Sequence, residues 1–134
     1  RASQRCLPRP SGMRYGSPMP TKEELYDRAV DHVADDELDQ AVEVYQAALA
    51  LDPGFVDAWH GLAMAYNELR QYPQAIEAGK KLCELAPDDI LAHTSLSRFY
   101  QAADMVPEAE AEGAKARMLD WKRQLEEAKT QKPE

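Results

Sequence analysis

The spacing of apolar residues along this chain predicts helices. In one segment the apolar positions are Leu38, Ala41, Val42, Tyr45, Ala48 and Leu49. Residues three and four positions apart lie on the same face of an α-helix, so this segment has one face to bury. It ends at Asp52-Pro53-Gly54, because proline does not continue a helix. The whole chain then reads as six helices: 22–34, one between the 35–37 turn and residue 52, 55–69, one from Tyr72 to Ala86-Pro87, 89–102, and one from Val106.

Start signals support these boundaries. Thr21 is followed three residues later by Glu24, which is the pattern of a capping box at a helix N-terminus. Pro73 and Pro107 lie in the first turns of the fourth and sixth helices, where the missing N–H of proline costs nothing. The connections are two to four residues long, so consecutive helices form antiparallel pairs.

The pattern also repeats along the chain. A shift of 34 residues superposes Ala41 on Ala75 and Ala109, Leu62 on Leu96, and Tyr66 on Tyr100. Three windows follow, at 22–55, 56–89 and 90–123. Segments that recur at a fixed period stack on one another, because each unit buries its apolar face against its neighbour.

The middle window identifies a family resemblance. It reads Trp59-x2-Leu62-Ala63-x2-Tyr66, followed by Ala75 and Pro87, and it resembles the tetratricopeptide repeat at its expected period. The resemblance covers residues 22–123. It implies an all-α fold, a right-handed superhelical solenoid of antiparallel helix pairs with three repeats. The domain organisation is then a disordered extension at 1–20, an array at 21–130 whose last helix reaches about 130, and a tail at 131–134.

Two glycines depart from the family pattern. Repeat 1 has the expected aromatic residue, Tyr45, in its second helix, whereas repeats 2 and 3 have Gly79 and Gly113 there. Each glycine costs about 1 kcal/mol of helix propensity relative to alanine. We expect a bulky neighbour such as Trp59 or Phe99 to approach closely and compensate for this cost.

The sixth helix has no breaker between Pro107 and Pro133, so it continues past the third repeat. Its apolar stripe consists of Met118, Leu119, Trp121, Leu125 and Ala128. We interpret it as a long capping helix, since a terminal repeat needs a soluble outer face. The alternative is that Trp121 and Leu125 form a surface for self-association, which makes a homo-oligomer the rival hypothesis.

Composition excludes several classes of protein. The 134 residues include 16 basic and 24 acidic ones, with a net charge of -8, which argues against binding to nucleic acid or to an anionic membrane surface. Repeat 1 alone has ten acids against two bases, whereas repeat 3 has five of each.

No apolar run approaches the roughly 18 residues of a membrane span. With two cysteines and no disulfide framework, the chain is expected to be cytoplasmic. Residues 1–20 contain four arginines and no acid, so a mitochondrial transit peptide is an alternative to a non-native leader there.

Candidates for chemistry are few. His32, His60 and His93 occupy three different positions within their repeats, so we expect no metal site. Cys83 and His93 could meet across a repeat junction as nucleophile and base, although a buried thiol and a packing imidazole explain them as well. There is no phosphate-binding loop and no Gly-x-Ser-x-Gly elbow. We therefore predict that the protein is not an enzyme, with no catalytic residues and no cofactor.

The resemblance places function in a concave groove lined by the first helix of each repeat. The groove positions are Tyr26, Val30 and Val33 in repeat 1, His60, Met64 and Asn67 in repeat 2, and Thr94, Arg98 and Gln101 in repeat 3, with Glu23, Asp57, Glu68 and Leu91 on the same face. Apolar residues at one end and polar residues at the other suit an extended or helical peptide with an apolar anchor. We predict a protein-interaction module or adaptor, with a vestigial groove as the alternative.

One kind of partner is disfavoured. Members of the family that bind chaperone tails hold a terminal carboxylate with lysine, asparagine and arginine side chains. The matching positions here are Tyr26, Val30, Gly61, Leu91 and Ser95. A carboxylate placed among them would lose its hydration without gaining charge-assisted hydrogen bonds.

Overall fold

Six helices make up the part of the chain that the computed structural model describes, residues 19–131. They are α1 (Lys22–Ala34), α2 (Leu38–Leu51), α3 (Val56–Glu68), α4 (Tyr72–Leu85), α5 (Ile90–Ala102) and α6 (Val106–Gln131), with no strand in this range. First helices start 34 residues apart, and so do second helices. The predicted all-α repeat fold is confirmed. The expected extension at 1–20 and the tail at 131–134 lie almost wholly outside the described residues.

The helices pack in chain order. Each helix contacts the one before and the one after it, and the first helices also contact one another, α1 with α3 and α3 with α5. The second helices α2 and α4 make no such direct backbone approach. The first helices are therefore closer together and form the inner side of the array, as the repeat pattern implied.

Alanines allow these helices to approach. The three residues superposed by the repeat, Ala41, Ala75 and Ala109, are all buried, and so is Ala29 in α1. A methyl group lets the ridges of one helix enter the grooves of the next, where a larger side chain would separate them. Phe99 is the largest fully buried side chain and lies in the core between repeats 2 and 3.

Every turn inside a helix pair has the same backbone geometry. Asp36, Arg70 and Asp104 follow the first helices at equivalent positions and have φ of 62°, 63° and 64°. In repeat 1 the Glu37 N–H donates to the His32 carbonyl, and the other repeats share this arrangement. Such a left-handed residue ends the helix by satisfying its last carbonyls, and glycine is the residue that adopts it most easily. None of the three positions is a glycine, which is why the pattern of glycines did not reveal this turn.

The expected bulky neighbour is present at Gly79 and absent at Gly113. A Cβ added to Gly79 would lie 3.0 Å from Leu96 Cδ1 and 3.2 Å from Phe99 Cδ2, so Phe99 is the bulky neighbour there. Gly113 has no such neighbour, since its added Cβ would meet only side-chain atoms at 3.5 Å. Trp59 approaches neither glycine, and its indole N–H donates to the Pro53 carbonyl at 2.7 Å.

The last helix is only partly packed. Ala109 and Ala116 are buried against α5, so the first half of α6 covers repeat 3. Residues 121–131 are all exposed, including Trp121 at 59% and Leu125 at 50%. The apolar stripe that was expected to cap the array is therefore mostly exposed to solvent in the second half of α6. None of the helices in residues 19–131 is both long and apolar enough to cross a membrane.

Candidate functional site

The predicted groove residues all lie on the first helices. Val30, Val33, Arg98 and Gln101 are exposed, and Tyr26, His60, Met64, Asn67 and Thr94 are half-buried. The first helices adjoin one another, so these side chains share one face of the array. That these residues form a binding groove stays a prediction, and the individual side chains decide what such a surface could bind.

A cavity of about 240 Å³ opens on this face between repeats 1 and 2. It is lined by Val33, Asp36, Leu38, Tyr45, Gly61, Met64, Ala65 and Glu68. Two of the predicted groove residues, Val33 of α1 and Met64 of α3, therefore meet at one cavity. Its lining includes two carboxylates among mostly apolar side chains, and such concave apolar sites with a few polar groups are the usual form of a binding pocket.

Tyr45 and Gly61 line this cavity, although sequence reasoning had not assigned either residue to the groove. Gly61 has no side chain, and the Tyr45 ring from α2 occupies the space where a Cβ would be. Burial, with a smaller effect of Tyr26, raises the pKa of Tyr45 to about 12. One signal in the sequence could have revealed this packing. Gly61 lies inside α3, and the preceding helix, α2, contains a large aromatic residue, Tyr45.

An aromatic cluster adjoins the cavity at the start of the groove. The Tyr26 ring lies 5.9 Å from Tyr45 and 5.5 Å from Phe55, both tilted, and Lys22 Nζ lies 5.1 Å from the Phe55 ring. Lys22 also pairs with Asp52. Burial raises the pKa of Tyr26, and the charges of Asp57 and Asp27 raise it further. This end of the groove is therefore aromatic and lies in a negative potential.

The negative potential has identifiable sources. Glu23, Asp57 and Glu68 are exposed on the predicted groove face, and Asp27 is exposed next to Tyr26 in α1. None of these four carboxylates forms an ion pair within the part of the chain described. Carboxylates that have no internal partner are available to attract a cationic ligand. Repeat 1 as a whole has ten acidic and two basic residues, so the local charges and the overall charge have the same sign.

The opposite end of the groove is polar. His60 Nε2 hydrogen-bonds Ser95 Oγ at 3.2 Å, and Thr94 donates its hydroxyl to the Ile90 carbonyl at 2.9 Å. Asn67 Oδ1 is buried and has no hydrogen-bond partner among the described residues. Arg98 is exposed and forms no ion pair in residues 19–131. Arg98 and the amide of Asn67 are thus groups that a ligand could satisfy.

The three histidines have separate partners. His32 Nδ1 lies 2.8 Å from a Glu37 oxygen, His60 contacts Ser95, and His93 Nδ1 lies 2.8 Å from Glu112 Oε1. No two of them share a partner. The histidines therefore stabilise separate helix junctions.

The possible meeting of Cys83 and His93 does occur, together with Glu112. The ligand atoms of these three residues lie within 4.8 Å of one another, so they could in principle hold a metal ion. However, the His93 nitrogens already contact Glu112 and the Pro87 carbonyl, both at 2.8 Å, and Lys115 contacts Glu112 at 2.9 Å. Both partners of the ring are acceptors, so the ring makes both bonds only when both nitrogens are protonated. A metal would have to displace these bonds.

The thiol in this cluster is also poorly suited to catalysis. Burial raises the pKa of Cys83 to about 11, and the charge of Glu112 adds to the effect. A nucleophilic cysteine needs a thiolate near neutral pH, which positive surroundings provide and this site opposes. The cluster instead joins α4, α5 and α6 by packing and charge-assisted hydrogen bonds.

A second, larger cavity lies on the other side of the array, and sequence reasoning did not predict it. Its volume is about 560 Å³, and its lining is Gln46, Leu49, Trp59, Leu62, Tyr66, Pro73, Gln74, Glu77, Ala78 and Lys81. It opens between α2 and α4, where the two second helices diverge. Its rim bears both an acid and a base, so its charge does not favour one kind of ligand.

The regular stack of helix pairs with a continuous inner face defines the chain as an α-helical repeat protein. Residues 26–90 match the family model for the tetratricopeptide repeat. Together with the 34-residue spacing of the helices, this match shows that the chain belongs to the tetratricopeptide repeat family. Proteins of this family are in general protein-interaction modules rather than enzymes.

Known proteins agree with this assignment. The tetratricopeptide repeat domain-containing protein PYG7, chloroplastic, of Arabidopsis thaliana is 32% identical over 63 residues, which are 47% of this chain and 21% of that protein. The crystal structure of MamA has a TM-score of 0.74 at 27% identity, over 77% of this chain and 60% of that chain. The second repeat domain of Spaghetti (RPAP3), bound to an HSP90 peptide, has a TM-score of 0.70 at 18% identity, over 74% and 92% of the two chains. That last likeness concerns the fold alone.

Proposed function

We propose that the protein is an adaptor that binds a peptide or helix of a partner protein in the groove formed by α1, α3 and α5. The observation that carries this proposal is the cavity in which Val33 and Met64 meet. An apolar side chain of the ligand would enter this cavity as an anchor. Anchors of this kind provide most of the affinity in peptide recognition.

The charge of the groove favours a basic ligand at its first half. Glu23, Asp27, Asp57 and Glu68 are exposed beside the apolar residues and have no internal ion-pair partner in residues 19–131. Lysine or arginine side chains flanking the anchor would pair with them. Such pairs would increase the association rate and the specificity more than the affinity, and salt would weaken them.

The second half of the groove favours hydrogen bonds to the ligand backbone. The orphaned oxygen of Asn67 costs free energy in the unbound protein, and rotation of its amide toward a ligand N–H would recover that cost. Arg98 would donate to a carbonyl or carboxylate of the ligand.

A chaperone-type terminal carboxylate clamp stays disfavoured, because Val30 and Leu91 at the matching positions are exposed and uncharged. Location in the cytoplasm also stays a prediction.

The test uses peptides selected from a random library against the full chain. For a selected peptide, we expect Met64→Ala to weaken binding by about 1 to 3 kcal/mol, as truncation of an anchor contact does. Arg98→Ala should weaken binding and reduce its salt dependence. The matched control is Met105→Ala, since Met105 is also a partly exposed methionine but lies in the turn before α6. Isothermal titration calorimetry gives the affinities.

The groove proposal would be wrong if Met64→Ala and Arg98→Ala leave affinity unchanged while Gln74→Ala or Lys81→Ala abolishes it. Gln74 and Lys81 lie at the cavity between α2 and α4. That result would move the binding surface to the second helices.

A further inference from the structure

The outer end of α6 extends beyond the array. α5 starts at Ile90 and packs against the first half of α6, so most of α6 after Leu119 extends past it, although Lys122 still lines a cavity of about 420 Å³ with His93 and Pro87. Residues 121–131 are exposed without exception. At about 1.5 Å per residue, they form a free helix of about 16 Å. We call residues 118–131 the α6 overhang, including the last turn that precedes the free part.

The overhang has an apolar seam. Met118, Trp121, Leu125 and Ala128 alternate spacings of three and four residues, which places them along one face of the helix. The three large members are 56%, 59% and 50% exposed. Three such side chains in line on a surface helix form a patch of the kind that marks interaction surfaces.

Basic residues flank this seam. Lys115, Lys122 and Lys129 recur every seven residues along one side of it, and Arg117 lies on the other side with two glutamines. Lys122 has no ion-pair partner within the described range. The acids Asp120 and Glu127 lie on the opposite face of the helix, where both bind Arg123.

These flanks argue against pairing of two identical overhangs. In an antiparallel pair, each lysine flank would face the lysine flank of the other helix. In a parallel pair, Arg117 of one helix would lie near Lys122 of the other. Like charges at these positions destabilise the pair and suppress it as a mode of association.

The groove of the same protein has the complementary properties. Its first half combines Tyr26, Val30 and the cavity at Met64 with unpaired carboxylates, as described above. An apolar seam with lysine flanks thus matches an apolar cavity with acidic flanks. The overall charges agree with this match, since repeat 1 has ten acidic and two basic residues, whereas repeat 3, which contains the start of the overhang, has five of each.

We infer that the ligand of the groove is the α6 overhang of a second copy of this chain, with Trp121 as the anchor and Lys122 beside the carboxylates. This inference rests on the proposed function, since it names the partner of that groove. The two surfaces are different, so each copy binds one neighbour at its groove and another at its overhang. Such head-to-tail contacts build open chains or rings rather than closed dimers.

The interface is small. A helix of three to four turns that contributes three large apolar side chains buries less than the roughly 1,200 to 2,000 Å² of a stable interface. The association is therefore weak, depends on protein concentration, and weakens as salt screens the charges. A weak contact of this kind assembles many copies only where the protein is concentrated.

The test uses two complementary variants of the full chain. The overhang variant, Trp121→Ala with Leu125→Ala, keeps the groove, and the groove variant, Asp27→Lys with Asp57→Lys, keeps the overhang. All four positions are exposed, so both variants are expected to fold, and circular dichroism checks this. Sedimentation velocity measures the mass of each sample over increasing concentration and at low and high salt.

We expect the mass of the wild-type chain to rise with concentration at low salt and each variant alone to stay monomeric. An equimolar mixture of the two variants should form dimers and grow no further, because one complementary pair of surfaces remains. The matched control for the charge changes is Glu77→Lys with Glu84→Lys on α4, which should assemble like the wild type.

Three results would overturn the inference: a wild-type chain that stays monomeric throughout, a groove variant that still self-associates, or a mixture that forms no dimers. The second would indicate pairing between overhangs. Failure of the inference is distinguishable from failure of the proposed function. If selected peptides still bind the groove and Met64→Ala still weakens them, the groove functions and its natural ligand is another protein.

Discussion

Substitution of Gly61 by alanine tests the packing of the Tyr45 ring of α2 against the backbone of α3. In an exposed helix this change would stabilise the fold by about 1 kcal/mol through helix propensity. Here the new Cβ would lie 2.5 Å from the Tyr45 hydroxyl oxygen and 2.6 Å from its Cε1, well inside van der Waals contact. Tyr45 is 3% exposed and its ring packs beside that of Tyr26, but it also lines the cavity of about 240 Å³, which leaves the ring some room to shift.

Overpacking of a core typically costs about 1 to 3 kcal/mol, and the clash with two ring carbons and the hydroxyl oxygen of a ring that can shift toward a cavity places this case near the middle of that range. After the gain in propensity is subtracted, we expect Gly61→Ala to lower the free energy of unfolding by about 1 kcal/mol. The control is Gly113→Ala, whose Cβ meets neighbours at 3.5 Å and should stabilise the fold by about 0.5 to 1 kcal/mol.

Urea unfolding followed by circular dichroism gives both values, and the comparison is valid if the slope of the free energy with urea is unchanged. A double variant, Gly61→Ala with Tyr45→Leu, should show a favourable coupling, since the shorter side chain removes the ring from the new methyl group. If Gly61→Ala stabilised the protein as much as Gly113→Ala does, the proposed contact between Tyr45 and α3 would be refuted.

Three further predictions follow from the packing and the turns. Arg70→Gly should stabilise the protein by about 1 kcal/mol in urea unfolding, because arginine adopts the observed positive φ at a cost that glycine avoids. Phe99→Ala should destabilise it by about 3 to 5 kcal/mol, since this ring is fully buried between repeats 2 and 3. Although burial opposes the shift, hydrogen bonds from His93 and Lys115 lower the pKa of Glu112 below its ordinary value of 4.5, so its ionised form stabilises the fold above that value, and this contribution is lost as the pH falls below it. Melting temperatures between about pH 3 and 7 should therefore decline less on the acid side for Glu112→Gln than for the wild type.

The fold could be predicted from the sequence because its signals repeat. Each helix pair has the same alanine, and the first two pairs end at the same proline, so an error at one boundary is corrected by the equivalent boundary 34 residues away. Ala41, Ala75 and Ala109 illustrate this, since their common position predicted close packing and all three are buried. The turns at Asp36, Arg70 and Asp104 could not be predicted from residue type, because their backbone is imposed by the two helices that they join.

The position of the groove stays a prediction from the family spacing, and the cavity on it could not be predicted. Family spacing placed Val33 and Met64 on one face, but whether two side chains enclose a cavity depends on what lies beneath them. The residue beneath Val33 and Met64 is Tyr45, whose ring fills the space that Gly61 leaves. A sequence rule that treats each position by itself does not show that a residue of α2 contacts a residue of α3. Which side chain packs against a glycine depends on how two helices are placed, so it can be identified only from the structure.

The apolar stripe of α6 was interpreted as part of a capping helix, because a terminal repeat has one neighbour fewer and needs a soluble outer face. The structure differs after Leu119, because no helix among the described residues covers the stripe, which stays exposed as far as Leu125. Trp121 in particular is exposed there, with Lys122 next to it. Since exposing Trp121 has no benefit for the isolated chain, its place beside Lys122 is best explained by a surface that it enters, and the acidic groove of repeat 1 has the matching charge and shape.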